Sequence, residues 1–355
     1  MHVLHVVGAR PNFMKAAPVL AAVRAHEGVR QTLVHTGQHY DANMAGVFFD
    51  QLGMPQPDLD LGVGSGSHGA QTGEIMIRLE PVITERKPDL VLVYGDVNST
   101  MAAAVVCAKL LVRVGHVEAG LRSYDRSMPE EINRLVTDQL ADFLFTPSPD
   151  GDENLKREGI APGKIHLVGN VMIDTLVRLL PRAEACKPKN LPPRYVLVTL
   201  HRPSNVDDPA WLASLLATLG ELSQEIDIVF PVHPRTRQRI NGLNLPVSGN
   251  RVHLLDPKPY LEFLALQRYA TVVITDSGGI QEETTFLGIP CLTLRENTER
   301  PITVTRGTNV LLGREISRVP AELRRVLQGE VKKASPIPLW DGRAAARIAD
   351  VIAPA

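Results

Sequence analysis

The sequence predicts an α/β protein made of two successive halves, each a parallel sheet covered by helices. Short apolar runs alternate with longer segments of helical spacing along the whole chain, the pattern that βαβ units produce. Clusters of polar residues follow directly on many of those runs. A length of 355 residues suits about two domains of ordinary size.

The strand candidates of the first half are His2–Val7, Gln31–Thr36, Asp89–Tyr94, Val112–Val117, Asp142–Thr146 and Ile165–Val168. Those of the second half are Tyr195–Leu200, Ile226–Val232, Arg251–Leu255, Thr271–Thr275, Pro290–Leu294 and Asn309–Leu312. Most are apolar throughout, as expected of strands buried on both faces. The segments Met14–His26, Thr100–Leu111 and Trp211–Glu225 have the spacing of helices that cover such sheets, and the crossovers are expected to be right-handed. Pro181–Pro193 holds four prolines and little periodicity, and is expected to belong to the connection between the halves. Leu61–Gly69 (LGVGSGSHG) is rich in glycine and serine and is expected to be mobile. Trp340–Ile352 has the pattern of an amphipathic helix.

Composition narrows the class. Hydrophobic residues make up 44% and charged residues 22% of the chain, which excludes intrinsic disorder. Lys and Arg number 38 against 39 Asp and Glu, for a net charge of −1. No nucleic-acid or membrane partner is therefore expected, although a local basic site remains open. Cys107, Cys186 and Cys291 are far apart and have neither disulfide-framework nor metal-ligand spacing. The N-terminus MHVLHVVGARP lacks the basic and apolar regions of a signal peptide. The apolar stretch Met101–Val112 is interrupted by Lys109 and is too short to span a bilayer. A cytoplasmic protein is the expectation.

The informative feature is where polar residues fall. Gly8-Ala9-Arg10, Gly95-Asp96, Glu118-Ala119-Gly120, His201-Arg202, His233 and Asp276-Ser277-Gly278-Gly279 all follow strand candidates. Open α/β sheets build their binding crevices at these carboxyl ends. Ser277-Gly278-Gly279 precedes a helical stretch, where bare amides and the helix dipole suit a phosphate; a Ser N-cap with tight-turn glycines reads the same way. Arg10, Lys15 and Arg300 can bring positive charge to a polyphosphate, or can be solvated surface cations. His201, Arg202 and His233 can bind a phosphate oxygen, or a histidine among them can move a proton or satisfy a turn carbonyl. Asp96 and Glu118 end neighbouring strand candidates and can share one cleft. Glu130 and Glu131 head a helix, where Glu130 is also placed to pair with Arg134 at i,i+4.

Several chemistries are argued against. The first turn, GARPNFMK, is not a G-x-G-x-x-G dinucleotide fingerprint, and no GxxxxGK[ST], HExxH, CxxC pair or G-x-S-x-G occurs. Asp96 and Glu118 have no further ligand cluster near them in sequence, so neither a metal nor a cofactor is expected.

These motifs together resemble the non-hydrolysing UDP-N-acetylglucosamine 2-epimerases. The match runs through GARPNFMKAAPV at 8–19, TGQHYD at 36–41, VLVYGDVNST at 91–100, HVEAGLRS at 116–123 and PEEINR at 129–134. It continues with GNVMID at 169–174, LVTLHRPSNVDD at 197–208, PVHPRT at 231–236, DSGGIQEE at 276–283 and TERP at 298–301. The resemblance implies a GT-B-like pair of Rossmann-like domains, here 1–170 and 171–339, with the site in the cleft between them and the 340–355 helix packed back on the first. It implies interconversion of UDP-GlcNAc and UDP-ManNAc without a redox cofactor; a homodimer is the expected assembly. Arg10, Lys15, His201, Ser277, Glu283 and Arg300 would bind the UDP sugar, with Gly278 and Gly279 admitting the phosphate. Lys258 and Phe263 match a uracil-contacting segment. Asp96, Glu118 and Glu130 would be the acid/base or charge-stabilising groups, with Glu131 the alternative third carboxylate and His201 beside them.

One segment departs from the pattern. Relatives regulated by a second UDP-GlcNAc carry a QHRxM-type segment and an arginine before a downstream glutamine. This chain has Gln38-His39-Tyr40-Asp41, and Ala70 before Gln71, so weak or absent activation is expected. The implied chemistry is elimination of UDP across C1–C2, a bound 2-acetamidoglucal, and re-addition of UDP after protonation from the opposite face. A modified UDP-acetamido sugar as substrate, a GT-B glycosyltransferase, a hydrolysing epimerase and a non-enzymatic sensor are the other readings.

Overall fold

Each apolar run named above as a strand candidate contains a strand in the computed structural model, which describes residues 1–38, 49, 51–242 and 251–353. Two compact units result: Met1–Arg178 together with Pro338–Ala355, and Leu179–Ile337.

Unit 1 contains β1 (His2–Val7), β2 (Arg30–His35), β3 (Leu59–Asp60), β4 (Leu90–Tyr94), β5 (Arg113–Val117), β6 (Phe143–Thr146) and β7 (Ile165–Leu167). They form one seven-stranded sheet in the order β3-β2-β1-β4-β5-β6-β7, every pair parallel. β4 reads LVLVY and is buried at every position, because helices cover both sheet faces. Burying each Val or Leu stabilises the unit by about 1.5–3 kcal/mol; trimming Leu92 to alanine would cost about 2–5 kcal/mol. The Tyr94 hydroxyl inside this core shares a 2.6 Å hydrogen bond with His5 Nδ1.

Unit 2 contains β8 (Tyr195–Thr199), β9 (Asp227–Pro231), β10 (Val252–Leu255), β11 (Val272–Thr275), β12 (Cys291–Thr293) and β13 (Asn309–Leu311). Their order is β10-β9-β8-β11-β12-β13, again all parallel. In both sheets the strand order reverses beside the first strand of the unit, at β1/β4 and at β8/β11. That reversal opens a crevice at the carboxyl ends of those strands.

The structure corrects several expectations. β3 was not foreseen; it is a two-residue edge pairing too short to carry a period. The first helix begins at Arg10 rather than Met14. Pro11 suits a first turn whose N–H groups need no intrahelical partner, and Asn12 Oδ1 accepts from Gly8 N and Ala9 N, both at 3.0 Å. The first part of Leu61–Gly69 is hydrogen-bonded: Val63 N donates to Thr36 O, Gly64 N to Gly37 O, and Arg78 Nη1 to the Leu61 and Gly62 carbonyls. The Val171–Ala185 helix runs through Pro181, so the proline-rich connection begins later than expected.

The division between units falls inside that helix rather than before it. Its first turns belong to unit 1: Thr175 Oγ1 donates to Met14 O at 2.6 Å, and Asp174 accepts from Ala344 N and Ala345 N. Those two amides open the Ala344–Ile352 helix, and Trp340 Nε1 donates to Pro147 O at 2.8 Å. Among the described residues no helix is long and apolar enough to cross a membrane.

Candidate active site

In unit 1 the turns after β1, β4 and β5 lie side by side, because those strands are adjacent and parallel. Asn12 Nδ2 donates to Tyr94 O at 2.7 Å and thereby ties the first turn to the end of β4. Gly8 has no room for a side chain: a Cβ there would lie 2.1 Å from Ser99 Oγ. Arg10 begins the first helix and is exposed, whereas Lys15, one turn on, is buried. Lys15 Nζ pairs with Glu118, both side chains nearly shut off from solvent. A Cβ on Gly95 would lie 2.5 Å from that ammonium. Glu118 adopts φ +73°, a left-handed conformation that costs a non-glycine residue about 1–2 kcal/mol. Its own amide and that of Ala119 both donate to Phe145 O and hold the turn.

Asp96 is held by Arg134, whose Nη1 approaches Asp96 Oδ2 at 2.5 Å. The same guanidinium reaches Glu131 Oε2 through Nε at 2.9 Å and Nη2 at 2.5 Å. Glu131 also accepts from Ser123 N, Ser123 Oγ and Tyr124 N. Burial opposes its ionisation, yet these bonds and Arg134 hold its carboxyl below the usual carboxylate range. Glu130 is solvent-exposed, and the expected Glu130–Arg134 pair does not form. Arg134 turns instead to buried Glu131 and half-buried Asp96.

In unit 2 the turns after β8, β9 and β11 converge in the same way. Asp276 is fully buried and accepts from His201 N and Arg202 N, and its Oδ1 lies 3.0 Å from His201 Nδ1. His201 thus presents Nε2 at the sheet edge, with its ring partly exposed and 6.3 Å from that of His233. Burial again opposes ionisation of Asp276, but His201 and the two amides keep its carboxyl low.

The Gly278–Leu287 helix opens on Ser277, whose hydroxyl makes no capping bond. The ordinary Ser N-cap is therefore not formed, and the first-turn amides have no intrahelical acceptors. Arg300 is buried beside this helix start, not solvated. It pairs with Glu299, and its Nε lies 2.9 Å from Glu282 Oε1. Arg295 holds the far oxygen of Glu299 at 2.6 Å. Despite burial, Arg300 and Arg295 keep Glu299 far below the usual carboxylate range. Gly278 makes this possible, since a Cβ there would meet Arg300 Nη1 and Glu299 Oε1 at 2.6 Å.

Glu283, one turn into the helix, accepts from the Tyr260 hydroxyl at 2.8 Å. Burial pushes its carboxyl up to about 7. Lys258 makes a 3.6 Å pair with Glu262, and Phe263 is half-buried against the core around Tyr195 and Leu197. His39, Tyr40 and Asp41 lie outside the described residues. Among the described residues no group of three or more His, Cys, Asp and Glu could hold a metal.

Sequence reasoning missed Arg134, Glu282, Glu299, Arg295 and Tyr260 as parts of these clusters. For Glu282 and Glu299 the adjacent Glu283 and Arg300 were a usable signal. Tyr260 offered none.

The chain is similar to known proteins along most of its length. The family model described as UDP-N-acetylglucosamine 2-epimerase matches residues 21–353. A UDP-N-acetylglucosamine 2-epimerase of Methanococcus maripaludis is 44% identical over 322 residues, covering 87% of each chain. A UDP-2,3-diacetamido-2,3-dideoxy-D-glucuronate 2-epimerase of Pseudomonas aeruginosa is 42% identical over 99% of each chain. The crystal structure of the Methanocaldococcus jannaschii UDP-GlcNAc 2-epimerase with UDP-GlcNAc and UDP superimposes with a TM-score of 0.89, at 40% identity over 99% of each chain. With two parallel-sheet α/β units and this similarity along the chain, the protein belongs to the UDP-N-acetylglucosamine 2-epimerase family.

Proposed function

We propose that the chain interconverts UDP-GlcNAc and UDP-ManNAc by inverting C2. The observation that carries this reading is the pair of carboxylates Asp96 and Glu118, on adjacent strand ends and each beside its own cation, Arg134 and Lys15. The C2 hydrogen of a 2-acetamido sugar has no neighbouring carbonyl carbon in the ring, so enolate formation is closed to it. Departure of UDP from C1 supplies the alternative. Positive charge develops at C1, the C2 hydrogen becomes acidic, and a carboxylate removes it. The products are 2-acetamidoglucal and UDP. Protonation at C2 from the other face and return of UDP to C1 complete the inversion. Atoms and charges balance without an oxidant.

This chemistry requires that UDP be retained while the glucal exists. Arg10, His201, Arg300 and the amides at Ser277, Gly278 and Gly279 supply donors for a diphosphate. Glu283 offers an acceptor for ribose hydroxyls, and Lys258 and Phe263 flank the uracil. Asp96, Glu118 and Glu130 take the proton-transfer and charge-stabilising roles. Glu131 is committed to Ser123, Tyr124 and Arg134, which favours exposed Glu130 as the third reacting group.

A second reading, with a UDP-2,3-diacetamido sugar as substrate, is favoured by the end-to-end similarity to the Pseudomonas enzyme. The test is incubation of the protein with each UDP sugar alone in deuterated water, followed by NMR. Epimer carrying deuterium at C2 is the expected result with UDP-GlcNAc. Release of free sugar, or turnover of the diacetamido compound only, refutes the primary reading.

A further inference from the structure

We infer that His116 and Asp138 are positioning residues that set the two turns carrying Asp96 and Glu118; the inference rests on the proton-transfer role proposed for those carboxylates. His116 lies in β5, and its ring is fully buried, as is the side chain of Asp138. His116 Nε2 lies 2.8 Å from Gly95 O and Nδ1 lies 2.6 Å from Asp138 Oδ1. A carbonyl oxygen only accepts, so Nε2 carries hydrogen. Asp138 is ionised: burial opposes this, but His116 and Arg122 keep its carboxyl low. Nδ1 faces that carboxylate, so the ring bridges the Gly95 carbonyl and Asp138.

The points of attachment are what matter. Gly95 O belongs to the peptide that leads into Asp96. The other Asp138 oxygen accepts from Gly120 N at 3.1 Å, in the peptide just beyond Glu118-Ala119. Arg122 Nη1 lies 2.7 Å from that same oxygen and grips Glu158 through Nε at 2.8 Å and Nη2 at 2.6 Å. A chain of His116, Asp138, Arg122 and Glu158, buried except at Glu158, thus clamps a peptide beside each reacting carboxylate. Glu118 has positive φ, which costs a non-glycine residue, so its turn is held against local preference. The clamp reaches the peptides beside Asp96 and Glu118, not their carboxylates.

The test uses the full-length chain with His116→Gln, which can satisfy one of the two partners but not both. Asp138→Asn is the second variant, kept in case the first does not fold. A shift of about 1 Å in a reacting group can cost on the order of 10²-fold in rate. The expected result is a fall in kcat of roughly tenfold to a hundredfold per folded molecule, with KM and UDP affinity unchanged. In an Asp96→Asn/Glu118→Gln background, where the positioned groups are already disabled, the same substitution should cause no further fall. A purely structural role would lower the melting temperature and leave kcat per folded molecule alone, and that outcome overturns the inference. So does an equal loss in the disabled background. Wild-type protein that turns over neither UDP sugar overturns the functional reading and this inference together; wild-type turnover with unaltered variants overturns the inference alone.

Discussion

Replacing Glu283 by glutamine should remove a pH dependence that burial imposes on the stability of unit 2. Burial pushes this carboxyl from an ordinary 4.5 up to about 7, against the pull of Tyr260 and Gln267. Below pH 4.5 the folded and unfolded chains both hold the proton and the group has no effect. Between 4.5 and about 7 the unfolded chain has released its proton while the folded chain retains it, so stability falls as pH rises. Above about 7 both are ionised and the loss is complete. At about 1.4 kcal/mol per pH unit, that window amounts to about 3 kcal/mol. Glutamine has no such titration, so the stability difference between variant and wild type should move by that amount in favour of the variant from low to high pH. Denaturant unfolding can follow it by fluorescence in a Trp340→Phe background, where Trp211 reports on unit 2 alone. A difference that stays constant across the window would show that Glu283 is not buried as described.

The carboxylates make the second prediction: Asp96→Asn, Glu118→Gln and Glu130→Gln should each lower turnover by about 10²–10⁴ with UDP binding nearly intact, and near-normal rates in all three would refute the mechanism. Glu131→Gln should instead act on stability, at a cost of about 1–3 kcal/mol, because it weakens the bonds from Ser123, Tyr124 and Arg134; calorimetry against the Glu130 variant tests the contrast. Gly278→Ala should push Arg300 and Glu299 aside, since its Cβ would sit 2.6 Å from both, and the loss of one charged contact would weaken UDP binding by about 1.5–3 kcal/mol; titration calorimetry showing unchanged affinity would refute it. UDP-ManNAc alone should turn over without added UDP-GlcNAc: Gln71 donates to Gln38 O and Gly64 O and accepts from Asn98, so its amide is already engaged. A strict requirement for trace UDP-GlcNAc would refute that expectation.

Twelve of the strands, the two-unit α/β plan and the edges on which the polar turns sit were legible in residue order alone. They were legible because strands covered on both faces must be apolar along their whole length, and an apolar run that stops at Gly95-Asp96 or His201 marks its own end. The short β3 left no such mark, because a two-residue edge pairing is specified by its neighbour β2 rather than by its own residues. Which ionisable group meets which follows from packing instead. Asp96 and Arg134 are brought together by the packing of a helix on a strand end, and the choice of Glu131 over Glu130 as partner depends on which side of that helix faces inward. Arg300 reads as a surface cation until Glu282 and Glu299 enclose it, and the raised carboxyl of Glu283 comes from burial beside Tyr260. Apolar burial is written locally in residue type, whereas charge pairing and desolvation depend on distances through space that residue order does not contain.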